Sequence, residues 1–131
     1  MKNNFLLEIV TPEQMVFAKQ VKGVVVPTLN GNITILVNHA PLISMVIPGK
    51  IIITTIDNDD TYITYGGFVQ ITNNVVTLLL DSVTHLDALD NTSLEGRIEA
   101  AQHASQNAET MHERNKHEDL FYQLSSLRHS L

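Results

Sequence analysis

The hydrophobic period of this chain changes once, near Asp90, and that change limits its possible folds more than any other feature. Up to Asp81, apolar residues come in short runs rich in Ile, Val and Thr, the pattern of strands with one buried face. Beyond Asp90 they recur at three- and four-residue spacing, which puts them on one stripe of a helix. The expected molecule is a strand-only domain joined to a helical appendage, not a sheet interleaved with helices.

In the first part, Phe5, Leu7 and Ile9 alternate with Leu6, Glu8 and Val10 until Thr11-Pro12-Glu13 breaks the run. Further strands are expected at Met15–Ala18, Val21–Val26, Ile33–Val37 and Ser44–Ile47. Others are expected at Ile51–Ile56, Thr61–Tyr65, Gly67–Thr72 and Val75–Leu80. Asn30-Gly31 is a strong hairpin signal, and Pro48-Gly49, Asp57–Asp60 and Asn73-Asn74 supply further turns. Many short strands with no helical pattern between them predict a sandwich or barrel.

In the second part, Thr92-Ser93-Leu94-Glu95 fits a capping box with Thr92 as N-cap. Leu94, Ile98, Ala101, Ala104, Ala108 and Met111 form the stripe, and a polar break at Arg114–Asp119 is expected to end the helix. Leu120, Leu124, Leu127 and Leu131 mark a second, shorter helix, so the pair reads as an antiparallel hairpin. Neither helix is long enough to be strongly stable alone.

Most chemistry is disfavoured by what the 131 residues contain. The net charge of −6 speaks against nucleic acid or an anionic membrane as the main partner. No cysteine is present, which removes disulfides, thiolate catalysis and cysteine-ligated zinc. The start, MKNNFLLEIV, lacks the apolar core and cleavage site of a signal peptide, and no run is long enough to span a bilayer. Phosphate-cradling and dinucleotide glycine patterns are absent, and Gly66-Gly67 reads as a backbone that passes close to another strand or bends sharply. His112 and His117 stand five apart, wrong for a helical zinc pair, and no serine–histidine–carboxylate arrangement is evident. The acidic turn Asp57–Asp60 lacks the remaining ligands of a calcium loop. The expectation is therefore no catalytic residue, no metal and no cofactor. One segment escapes the strand pattern: Asn38-His39-Ala40-Pro41-Leu42 reads equally well as a loop between sheets and as a recognition loop for another protein.

Taken in order, several stretches resemble the epsilon subunit of the F-type proton-translocating ATP synthase, called delta in mitochondria. They are Glu8–Glu13 with Phe17, Val24-Val25-Val26-Pro27, Gly31-Asn32-Ile33 and Asn38–Leu42, then Pro48–Ile51, Gly66–Val69 and Val76–Leu79. The ordered set is specific where no single piece is, and it spans about two thirds of the chain. The resemblance implies a β-sandwich of about ten short strands over residues 1–86 and a C-terminal antiparallel α-helical hairpin over 87–131. It also implies a non-catalytic central-stalk subunit of a proton-transporting complex. Its partners would be the gamma subunit and the polar loops of the c-ring, with the alpha/beta catalytic head as a further contact of the hairpin. The location implied is peripheral, on the cytoplasmic face of the bacterial plasma membrane, reached only through partners. Gly31, Asn32, Ile33, Asn38, His39, Ala40, Pro41 and Leu42 fall at its partner-facing positions. Relatives often carry an acidic residue at the place of Asn32, so a charge contact to the ring would become a neutral hydrogen bond here. Some relatives bind ATP through a motif opening with Leu-Asp and followed by an arginine. Here Leu89 and Asp90 match, but Ser93 stands at the arginine position. Beyond Leu86, only Arg97, Arg114, Lys116 and Arg128 are basic, against eight acidic residues, which implies weak engagement of an acidic head.

Overall fold

A computed structural model describes residues 3–131, which form two compact units divided between Leu86 and Asp87. The first unit contains β1 (Phe5–Val10), β2 (Met15–Val21), β3 (Gly23–Thr28), β4 (Gly31–Leu36) and β5 (Leu42–Val46). It continues with β6 (Gly49–Thr54), β7 (Asp59–Thr64), β8 (Gly67–Thr72), β9 (Val75–Leu80) and β10 (Val83–His85). A 3-10 turn at Leu86–Ala88 precedes α1 (Asn91–Gln106) and α2 (Met111–Ser130).

The ten strands make one curled sheet in the order β10-β7-β6-β3-β5-β8-β9-β1-β2, with β4 pairing β3. Among the described residues, only β1 and β9 pair in parallel. Alternation decides what goes inside: Phe5, Leu7 and Ile9 are buried while their neighbours Leu6, Glu8 and Val10 are half-exposed. They share one core with Val24, Val26, Ile51, Ile53 and Leu78, and each such side chain contributes roughly 1.5–3 kcal/mol by leaving water. The edge strand β2 comes round to β7, the neighbour of the other edge strand β10, where Phe17 packs edge-on against Tyr62, ring centroids 6.1 Å apart. Asn73 and Asn74 take φ of 41° and 63°, both left-handed, and so close a two-residue hairpin between Thr72 and Val75 that follows the sheet's twist.

The β-sandwich reading stands, with differences at several strand ends: β5 and β6 start and stop earlier than expected, and β7 takes in Asp59 and Asp60 of the expected turn. β2 runs on to Val21, and β10 forms a strand that the sequence pattern does not reveal. β10 has three half-buried residues and no alternation to read; it is held by pairing with β7 and by His85, which bonds Asp60 and lies edge-on to Tyr62.

The hairpin stands as well, but its punctuation is corrected. The N-cap of α1 is Asp90, not Thr92: the Asp90 carboxylate accepts the Thr92 N–H at 2.9 Å. Glu95 does not reach back to a cap; it accepts from Arg128 Nη1 at 3.0 and 2.9 Å, tying the start of α1 to the end of α2. The break between helices falls at residues 107–110. There Asn107 donates its side-chain amide to His103 O at 2.9 Å, and Thr110 caps α2 by accepting the Glu113 N–H at 3.1 Å. Arg114–Asp119 lies inside α2, because Arg, Lys and Glu are good helix formers and an exposed face needs no apolar stripe. α2 is consequently the longer helix, 20 residues against 16. Leu94, Ile98 and Ala101 of α1, with Leu124 and Leu127 of α2, are the buried apolar side chains of the hairpin.

Candidate docking surface

The two partner-facing segments expected from sequence lie at opposite ends of β4. At one end, the buried Thr28 hydroxyl donates to Gly31 O at 2.7 Å and accepts the Asn30 N–H at 3.2 Å, which fixes a tight turn through Leu29 and Asn30. Gly31 has φ of 101°, a conformation that side chains resist, so glycine belongs at this point. Asn32 is exposed and Ile33 half-buried. At the other end, roughly 17 Å away along an extended strand, comes the loop Asn38–Leu42. Asn38 has φ of 65°, and its N–H donates to Asn74 Oδ1 at 3.2 Å, pinning the loop to the β8–β9 hairpin. The His39 ring bonds its neighbour's carbonyl, Ala40 O, through Nδ1 at 2.8 Å, and the His39 backbone N–H donates to Leu36 O. Asn38, His39, Ala40 and Pro41 are exposed, and Leu42, half-buried, opens β5 opposite Ile71. The fold thus presents both segments at the surface without bringing them together.

Strand register assembles a feature that the sequence reading misses. Met45 lies opposite Phe68, Phe68 opposite Leu79, Leu79 opposite Val10, and Val10 opposite Met15. Directly opposed residues share a sheet face, so these five form an apolar row across β5, β8, β9, β1 and β2. All point outward: Met15, Met45, Phe68 and Leu79 are 46–54% exposed. The row reaches the β3–β4 turn, since Leu29 N–H donates to Met45 O at 3.4 Å and Leu29 is itself exposed. The next row on that face, Ile43, Gln70, Thr77, Glu8 and Ala18, is mostly polar or small. A contiguous exposed apolar band with a polar border marks an interaction surface. The signal was present in the sequence as apolar residues at the outward positions of five strands. It becomes visible only when the register is known, because one position of slip would turn the same residues inward.

No comparable concentration of reactive groups occurs among the described residues. Among the described residues, no three or more His, Asp or Glu side chains gather as they would around a metal ion. The acidic turn is occupied otherwise: Thr55 Oγ1 bonds Asn58, and Asp60 bonds His85. Burial and the adjacent Asp60 carboxylate hold the Tyr62 phenol above its ordinary pKa of 10.0. Of the expected nucleotide-motif positions, Asp90 is engaged as a helix cap, Leu89 is half-buried and Ser93 is exposed. An open groove of about 370 Å³ lies where β2 faces the β6–β7 turn, lined by Phe17, Lys19, Asp57 and Asp60 among others. No helix is long and apolar enough to cross a membrane among the described residues.

Comparison with known proteins agrees with this architecture. Residues 4–86 match the family model described as ATP synthase, Delta/Epsilon chain, beta-sandwich domain. An ATP synthase epsilon chain of Brucella anthropi is 36% identical over 128 residues, 97% of this chain and 95% of that one. One from Sinorhizobium medicae is 41% identical over 102 residues, 77% of this chain and 76% of its own length. Among solved structures, a chain of the Euglena gracilis mitochondrial ATP synthase, OSCP/F1/c-ring, superposes with a TM-score of 0.77 at 18% identity, over 99% of this chain and 82% of that one. A chain of the Tetrahymena thermophila central stalk/c-ring gives 0.62 at 12% identity, covering 92% and 93%. Both share this fold.

Proposed function

The chain belongs to the delta/epsilon family of ATP synthase subunits, and on that premise we propose that it is a non-catalytic central-stalk subunit joining gamma to the c-ring. The observation that carries the reading is the apolar row from Met45 to Met15, a surface made for permanent contact. Gamma is assigned to this row. Its five outward side chains supply the apolar centre of an interface, and the turn at Leu29 extends it.

The polar loops of the c-ring are assigned to the turn Gly31–Ile33 and the loop Asn38–Leu42. Between Lys22 and Lys50 the chain has no Asp, Glu, Lys or Arg. Contact there would rest on hydrogen bonds from Asn32, Asn38 and His39 and on the Pro41 surface, not on ion pairs. The place of action is then the cytoplasmic face of a bacterial plasma membrane, with attachment through partners only. The hairpin contributes at most weakly to restraint of ATP hydrolysis: its four basic residues face eight acidic ones, and Arg128 is already paired with Glu95.

The test is co-expression with the gamma subunit of the same organism. The wild-type chain is expected to co-purify one-to-one, and Phe68→Glu is expected to weaken binding at least about tenfold, since removing one large apolar contact and burying a charge exceeds the ~1.4 kcal/mol that a decade requires. Gln70→Glu, on the same face but outside the row, serves as the control. Phe68 is half-exposed, so circular dichroism should report an intact sheet in both variants. Undiminished gamma binding by Phe68→Glu would refute the docking assignment.

A further inference from the structure

We propose that Asn30 is a self-modifying position, at which the chain converts its own side-chain amide to aspartate and isoaspartate without an enzyme. Asn30 is the asparagine of this chain that is followed by glycine. In the reaction, the Gly31 backbone nitrogen attacks Cγ of Asn30. The Cγ–N bond to the amide breaks, and the proton from the backbone nitrogen leaves with it as ammonia. Water then opens the resulting five-membered succinimide at either carbonyl, giving aspartate or isoaspartate. The net change is one water consumed and one ammonia released, with no oxidant, metal or co-reactant.

Three observations favour this site over the other asparagines. First, both reacting residues are exposed, and outside the flanking residues no atom lies within 4 Å of where a Cβ on Gly31 would sit, so no other part of the chain crowds the ring. Second, the hydrogen bonds of the turn go to its backbone and to Thr28: Asn30 donates its N–H to Thr28 Oγ1, and its side-chain amide takes no partner among the described residues. Third, three of the other asparagines at turns are tethered. Asn58 Oδ1 accepts from Thr55, Asn74 Oδ1 accepts from Asn38, and Asn107 Nδ2 donates to His103 O. Each must break a hydrogen bond to turn its carbonyl carbon toward the chain, and each is followed by a residue with a Cβ. The consequence is electrostatic. The new carboxylate is the first formal negative charge between Lys22 and Lys50, one residue from Gly31 and beside the exposed Leu29 at the end of the apolar row. That consequence for docking rests on the function proposed above; the modification itself does not.

The experiment is to hold the purified full-length chain at mildly alkaline pH and body temperature and to follow it by peptide mapping with electron-transfer fragmentation. The peptide from Gly23 to Lys50 is expected to gain the mass difference between amide and acid, to split into two isomers at position 30, and to release ammonia in equal amount. Peptides carrying Asn58, Asn74 and Asn107 should change at least an order of magnitude more slowly. Asn30→Gln, whose longer side chain must close a larger ring, should lose the effect while keeping the wild-type circular dichroism. Absence of mass gain at position 30, or faster gain at Asn58, Asn74 or Asn107, would overturn the proposal. Gamma binding measured on chain separated into modified and unmodified fractions reads the docking consequence by itself, so its failure would leave the chemistry standing.

Discussion

At the residue scale, the glycine pair reads the same way from sequence and from structure. A Cβ on Gly67 would lie 2.1 Å from Leu79 O and 2.8 Å from Leu80 Cα, both backbone atoms that cannot step aside, and φ there is 148°. Gly67→Ala should therefore destabilise the sheet unit by about 3 kcal/mol or more in urea unfolding. Gly96→Ala should act with the opposite sign. Gly96 sits exposed within α1 with nothing near its missing Cβ, and alanine there should stabilise the hairpin by about 0.5–1 kcal/mol. Tyr62 supplies a pH effect. Its phenol is held above 10.0, first by burial and then by Asp60, so the folded chain keeps that proton more tightly than the unfolded chain does. The resulting stability is complete below the ordinary tyrosine pKa and is lost as pH rises through the raised value. Tyr62→Phe should flatten the alkaline fall in melting temperature, and an unchanged fall would assign it to other groups. No local pattern foretold the Tyr62–His85–Asp60 contact, because it joins β7 to a strand too short to announce itself.

At the scale of elements, periodicity located both helices but misplaced the break between them. The apolar stripe fades over Arg114–Asp119, yet backbone capping, not the stripe, ends a helix, and the signals were Asn107 and the Thr110–Glu113 pair. The same distinction between surface and seam sets energies in the hairpin. In the Arg128–Glu95 bridge a single guanidinium nitrogen, Nη1, donates to both carboxylate oxygens, and both side chains are about half exposed, so water and salt screen it. Arg128→Gln should cost no more than about 1 kcal/mol and less at high salt. Leu124 is buried in the helix pair, and Leu124→Ala should cost about 2–4 kcal/mol. Thermal melts of the two variants, followed by helical circular dichroism, should rank them in that order; the reverse order would make the bridge, not the seam, the clasp of the hairpin.

At the scale of the whole molecule, the alternation of single strands is legible in the sequence, whereas what register assembles is not. Inward alternation in β1 could be read directly, whereas the outward row from Met45 to Met15 needs five strands in one alignment before it exists. Resemblance drew attention to the segments around Gly31 and Asn38, which flank β4, and left the broad face beside them unmentioned. The division of the chain then supports a last prediction. The core of the sheet unit is drawn from Phe5 to Leu80, with Val83 packed against it, and the buried apolar residues of the hairpin lie between Leu94 and Leu127. Each unit owns the side chains that exclude water from it. Deleting residues 87–131 should therefore leave a folded sheet that retains gamma binding, because every residue of the docking row precedes residue 80. The same deletion should not raise ATP hydrolysis of the assembled complex severalfold, since the hairpin's four basic residues are outnumbered by eight acidic ones. Loss of gamma binding on truncation would move the docking surface into the hairpin, and a severalfold rise in hydrolysis would show that apolar contacts, not charge, make the hairpin an effective brake.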